Sequence, residues 1–134
     1  MVLDMAGKTD PNLFRAGAGR AVITPPVGFL IDGPEHGVRS STGILDDLLA
    51  RVVVLDSNGE KIALVSLDVW GLNADLVANI KAAVATAVGI DTCGVWLTTT
   101  GNATSPPLWR NEPQYDNYRN FLPEMGQIYC FTAT

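Results

Sequence analysis

The chain is expected to fold as an α/β or α+β layer: a mixed sheet containing one β-hairpin, with a single main amphipathic helix against it. Three observations predict this. Two β-branched and apolar runs, Leu48 to Leu55 and Lys61 to Leu67, flank the turn residues Ser57, Asn58 and Gly59, and Asn-Gly tolerates the positive φ of a tight antiparallel hairpin. Leu76, Ile80, Val84 and Ala87 or Val88 then recur on one helical stripe. A further strand-like run, Gly94 to Thr99, follows the helix, and strands alternating with helices build layered folds.

The elements are justified in order. Residues 1–12 are polar and read as a tail, leaving 13–134 as one domain. Val22 and Ile23 form a short strand, ended by Pro25 and Pro26 and so placed at a sheet edge. From Gly28 to Gly43 glycine and charge suggest a long loop holding the only histidine, His36. The hairpin comes next, then the helix, with Asn73 as N-cap and Gly89 as its stop. After the strand to Thr99, a short helix is expected near Tyr115 to Leu122, ended by Pro123, and a last strand over Gln127 to Thr132.

Composition limits the functional classes. With 134 residues, 47% of them apolar and 17% charged, the chain can bury a core of its own. A net charge of −5 with scattered Lys and Arg argues against nucleic acid. No run approaches the length of a transmembrane segment, and Asp4 stands where a signal peptide needs basic and then apolar residues. A cytoplasmic location is the expectation. Cys93 and Cys130 have no CxxC spacing and read as buried free thiols.

Familiar catalytic signatures fail on inspection. The "GKT" at Gly7 lacks its earlier glycine, because position 2 is Val2, and "GAGRAV" from Gly17 runs into prolines where a helix should start. There is no GxSxG, and one histidine with unpaired cysteines cannot complete a zinc site within the chain. Asp46 and Asp47 precede the first hairpin strand and Asp68 follows the second, so the hairpin brings carboxylates to one end of the sheet. They could serve as an acid/base pair or an oxygen-ligand site there, or simply as strand-end caps. In "GNATSPPLWR", Asn102, Ser105, Trp109 and Arg110 are candidates for holding a substrate, since binding residues concentrate on loops.

The segments "RAGAGRAVITPPVG", "GILDDLLARVVVLD", "IALVSLDVWGL" and "VGIDTCGVWLTTT", followed by "GNATSPP", resemble the opening of the neutral/alkaline non-lysosomal ceramidases. That family carries AGxGRxDITPP, G-I-H-D-P-L-x-A-R, S-L-D-x-x-G-L and T-H-T-H-S-G-P in the same order and at similar spacing. The likeness runs from about Phe14 to Pro107 and covers a fraction of the family's longer catalytic domain. It implies a hydrolase fold acting on the amide bond of N-acyl substrates through a zinc-activated water. Asp46, Arg51, Asp68, Thr100 and Pro106 match the family frame, whereas Leu45, Gly101 and Ala103 stand where its histidines are. Sliding the loop by one residue matches Ser105 and Pro107 instead and puts Asn102 and Thr104 at the ligand places. Neither register supplies an imidazole, and Val22 replaces the family's Asp in the first segment.

The resemblance therefore implies a small subunit or N-terminal part of a ceramidase-like amidohydrolase. Thr100, Asn102, Ser105 and Trp109 would hold substrate, and Asp46, Asp68 and Arg110 are the only catalytic candidates in the chain. Another polypeptide would supply the remaining groups, and zinc would bind only with that chain's ligands. An inactive or structural subunit of the same fold is the alternative. The end of the chain directly after an apolar run suggests association with that polypeptide or with another copy, through Gln127 to Thr132 and the Pro106 to Arg110 loop.

Overall fold

The structure is a computed structural model, which describes residues 14–33 and 37–110. The elements run β1 (Phe14–Val22), β2 (Leu30–Gly33), β3 (Gly37–Ser40), β4 (Leu49–Ser57), β5 (Glu60–Leu67), α1 (Ala74–Val88) and β6 (Val95–Thr99), with a 3-10 turn at Thr92–Gly94 before the last strand. Four strands form one sheet in the order β1-β4-β5-β6, and β2 pairs with β3 in a separate ribbon. β1, β4 and β5 are mutually antiparallel, while β6 runs parallel to β5 after the α1 crossover. The mixed sheet, hairpin and main helix expected from the sequence are all present among the described residues.

The hairpin forms for the expected reason. Asn58 and Gly59 both take positive φ, 55° and 88°, the pair of values a two-residue type I′ turn requires. The Asp56 carboxylate accepts from the Gly59 N–H at 2.9 Å, and Ser57 pairs with Glu60 across the turn. The helix is capped at both ends. The Asn73 side chain accepts from the Leu76 N–H, and Gly89 adopts the left-handed conformation with its N–H donated to the Ala85 carbonyl.

Three expectations are corrected. The first strand is nine residues long rather than a pair at Val22 and Ile23, because β4 offers a partner along its whole length, from Phe14 opposite Ser57 to Val22 opposite Leu49. It does lie at an edge of the sheet, and Ile23 follows it into the core. The supposed loop from Gly28 to Gly43 contains the β2-β3 ribbon, with Leu30 opposite Ser40 and Ile31 opposite Arg39; the β-branched Ile31 and Val38 suit strands despite the surrounding glycines. Cys93 is exposed, not buried, because it sits in the 3-10 turn that lifts the chain from helix to strand. Cys130, His36, and the expected elements at Tyr115 to Leu122 and Gln127 to Thr132 lie outside the described residues.

The core lies between α1 and one face of the sheet. Ala50 and Val52 of β4, Ala63, Val65 and Leu67 of β5, and Val95 of β6 meet Leu76, Val84 and Ala85 of the helix, with Ile80 partly buried beside them. Alternation along each strand sends the intervening residues to the opposite face. There Val53, Ile62, Leu64 and Trp96 are exposed, Trp96 by 65%. No helix among the described residues is long and apolar enough to cross a membrane.

Candidate functional site

Parallel strands with a helical crossover present their carboxyl ends as the usual place for a ligand. In this chain those ends are Leu67 to Trp70 after β5 and Thr100 to Arg110 after β6, and the antiparallel β4 begins beside them. Register alone therefore brings the candidates Asp46 and Asp68 to the same end of the sheet as Thr100, Asn102 and Ser105.

Asp68 holds the start of β4 against the end of β5. Its carboxylate accepts from the Leu49 N–H at 3.0 Å and from the Arg51 guanidinium at 2.9 Å on each oxygen, while its own N–H donates to the Leu49 carbonyl. Arg51 is half exposed and Asp68 mostly covered. A carboxylate with both oxygens engaged is a brace in this state rather than a free base. Asp47 is also engaged: Thr24 donates its hydroxyl to Asp47 at 2.8 Å and accepts from the Leu48 N–H at 2.8 Å. Asp46 is exposed. Thr24, which stands in the ITPP of the first segment but is not among the candidates, ties the end of that segment to β4 through its hydroxyl.

The loop after β6 is built from its own polar groups. Thr100 and Gly101 donate their N–H groups to the carbonyls of Leu67 and Val69, which carries the β5-β6 pairing beyond the strands. Gly101 turns the chain at φ 73°. The Asn102 side-chain oxygen then accepts from both the N–H and the hydroxyl of Thr104, at 2.9 and 2.8 Å, which closes an Asx turn. Ser105 is fully buried; its hydroxyl accepts from the Trp70 N–H at 2.9 Å and donates to the Asn102 carbonyl at 2.8 Å. Pro106, Pro107 and Leu108 follow it inward, and the Leu108 carbonyl accepts from Asn73 N–H at the start of α1. Trp109 emerges partly exposed beside Gly71, with the Arg110 guanidinium 4.5 Å above its ring.

The structure therefore divides the substrate-holding candidates. Thr100 is exposed at the mouth of the loop, Asn102 and Ser105 hold the loop's shape, and Trp109 with Arg110 forms a stacked cation-aromatic pair at its far end. The inward turn of Pro106 to Leu108 removes those side chains from the association surface expected of this loop.

Leu45, Gly101 and Ala103, the places that the resemblance assigns to zinc ligands, do not make a metal site. Leu45 is 97% exposed, Gly101 has no side chain, and Ala103 carries only a methyl group. The alternative pair, Asn102 and Thr104, is hydrogen-bonded to itself. Among the described residues no three His, Cys, Asp or Glu come together in a metal-sized group. These residues do not fit zinc, whose usual ligands are thiolate, imidazole and carboxylate.

Away from these strand ends, an open groove of about 410 Å³ crosses the uncovered sheet face, lined by Val53, Leu64 and Trp96 and, toward the strand ends, Arg51, Ser66 and Thr98. Sequence reading passes over this surface, although the signal is there. "RVVVL" and "IALV" are apolar at successive positions, so both faces of each strand receive apolar residues. No family model, curated protein or solved structure matches the chain.

Proposed function

We propose that this chain is a small subunit or N-terminal part of a ceramidase-like amidohydrolase, holding one side of an amide substrate while another polypeptide supplies most of the catalytic groups. The observation that carries this reading is the preformed loop at the carboxyl ends of the parallel β5 and β6. Its backbone is fixed by Asn102 and by buried Ser105, and it presents Thr100 at one end and the Trp109-Arg110 pair at the other, in a segment without histidine, cysteine or carboxylate. Binding without chemistry is what such a loop can do alone. Hydrogen-bonding groups on a fixed backbone orient a substrate, and orientation accelerates a reaction only when a reacting group lies opposite.

The segments that resemble the ceramidase opening, in the same order, support hydrolysis of an amide in a small or N-acyl substrate as the reaction class. The residues at the zinc-ligand places leave water activation to a partner. Purification from the native source under mild conditions, followed by assay with an N-acyl amine reporter, tests the reading. The expected result is turnover in fractions where the chain travels with a second polypeptide and none from the chain by itself. Absence of turnover from every such complex refutes it.

A catalytically inactive subunit of the same fold is the second reading, and one observation favours it. Asp68, the carboxylate best placed for acid/base work, is committed to Arg51 and Leu49 as a brace. Under this reading the chain serves assembly, and no combination of chains containing it hydrolyses the reporter.

A further inference from the structure

We infer that the uncovered face of the four-stranded sheet is a homodimer interface, on which a second copy packs with its strands reversed. The inference does not rest on the hydrolase reading and concerns a different face of the molecule.

Register and alternation define the face row by row. Beginning at the hairpin end, Phe14, Ser57 and Glu60 share one row; Ala16, Leu55 and Ile62 share the next; Ala18, Val53, Leu64 and Trp96 the third; and Arg20, Arg51, Ser66 and Thr98 the fourth. The two central rows are entirely apolar, and Val53, Ile62, Leu64 and Trp96 are each more than a third exposed. A sheet face left to water normally carries polar residues, yet the face opposite α1 is apolar through its two central rows.

The flanking rows select the occupant. Exposed Glu60 carries negative charge at one end, while Arg20 and Arg51 stand directly opposite each other at the other end, with Asp68 offsetting one of them. Six residues separate Glu60 from Ser66 on β5, or about 20 Å at roughly 3.3 Å per residue. Their midpoint, Ala63, falls between the two apolar rows. A two-fold axis lying across the strands at this midpoint superposes the apolar rows of the two copies. It also brings Glu60 of each copy over the Arg51 end of the other. The other in-plane axis, along the strands, lays the Glu60 row on the Glu60 row and the arginine row on the arginine row, which keeps like charges at the same end. The charge pattern thus complements the same face reversed, the property an isologous interface requires.

The size is adequate for a modest dimer. Four strands about 4.8 Å apart and 20 Å long present roughly 400 Å² in projection, and on the order of 600 Å² of accessible surface per copy, at the lower end of stable interfaces. Two such sheets pack face to face about 10 Å apart, with strands within about 30° of alignment.

Sedimentation equilibrium of the full chain from about 1 to 100 µM, a range set for an interface of this size, tests the inference. Wild type is expected to dimerise, and Leu64→Glu to abolish dimerisation while its circular dichroism stays native. Glu60→Lys, at an exposed strand end, is expected to weaken the dimer roughly tenfold by placing like charges together. Leu45→Glu, which lies off the face, should leave the dimer intact. A wild-type chain that stays monomeric throughout this range, as it would if another segment or partner covers the face, overturns the inference. So does a dimer indifferent to Leu64→Glu or to Glu60→Lys.

Discussion

Replacing Ser105 with alanine isolates one hydroxyl that holds the loop to the sheet. The side chain is fully buried, accepts from the Trp70 N–H and donates to the Asn102 carbonyl. Alanine fills nearly the same space, so the loss is polar rather than steric. It leaves one backbone donor and one backbone acceptor without this partner. A buried group deprived of its bond costs about 1–3 kcal/mol, and relaxation of the partly exposed loop around Asn102 keeps the total near the lower half of the range. At about 3–5 °C per kcal/mol for a domain of this size, the midpoint should fall by roughly 3–10 °C. Thr104→Ala is the matched comparison, because it removes an exposed hydroxyl from the same turn while the Thr104 N–H bond to Asn102 remains; it should cost under about 0.5 kcal/mol. Thermal melting of both variants decides the matter. A Ser105→Ala midpoint no lower than that of Thr104→Ala would refute the view that buried Ser105 anchors this loop.

Three further outcomes are expected. Asn73→Ala removes the side-chain acceptor for the Leu76 N–H and should destabilise the domain by about 1 kcal/mol, with Asn73→Asp close to wild type in chemical denaturation. Asp68→Ala should cost about 1–2 kcal/mol, mostly through the Leu49 N–H, because half-exposed Arg51 is screened by solvent; a double-mutant cycle with Arg51→Ala should return a coupling below about 1 kcal/mol. Bonds from the Cys93 N–H, and then from the Cys93 and Thr92 side chains, hold the Asp91 carboxyl below its ordinary value. Its contribution to stability is thus present above the carboxyl's unfolded pKa and lost as pH falls through the folded one. Asp91→Asn should remove that acid-side dependence, which melting between about pH 2 and 5 would detect.

The parts of the fold that were legible in the sequence are those where local chemistry and tertiary context agree. Asn58-Gly59 permits a tight turn, and the residues on either side are strand formers, so the hairpin appears as expected. Asn73 and Gly89 cap the helix whose stripe carries Leu76 and Val84 into the core. Legibility fails where pairing overrides propensity. "FRAGAGRAV" holds three alanines and two glycines and still forms nine residues of strand, because the β4 edge satisfies its backbone. The β2-β3 ribbon is hidden for the same reason, its short apolar stretches lying among glycines and charges. Cys93 runs against the tendency of cysteines to be buried, because the 3-10 turn that holds it lies at the surface.

At the candidate site the residue types were legible, but their commitments were not. A sequence shows that Asp68, Asn102 and Ser105 can donate or accept; only the fold shows how much of that capacity is already used. Each has turned toward the protein's own backbone, Asp68 to Leu49, Asn102 to Thr104 and Ser105 to Trp70. Buried or half-buried polar groups are costly unless paired, so the polar groups of this loop take internal partners. The self-bonded Asn102-Thr104 turn and the Ser105 clamp meet that need. They give the loop a fixed shape, with Thr100 exposed at its start and the Trp109-Arg110 pair at its far end. The same division separates the two faces of the sheet: polar capacity at the strand ends is largely spent within the chain, whereas the apolar capacity of Val53, Ile62, Leu64 and Trp96 is left exposed. Substitutions on that face should therefore alter the inferred association far more than they alter the loop.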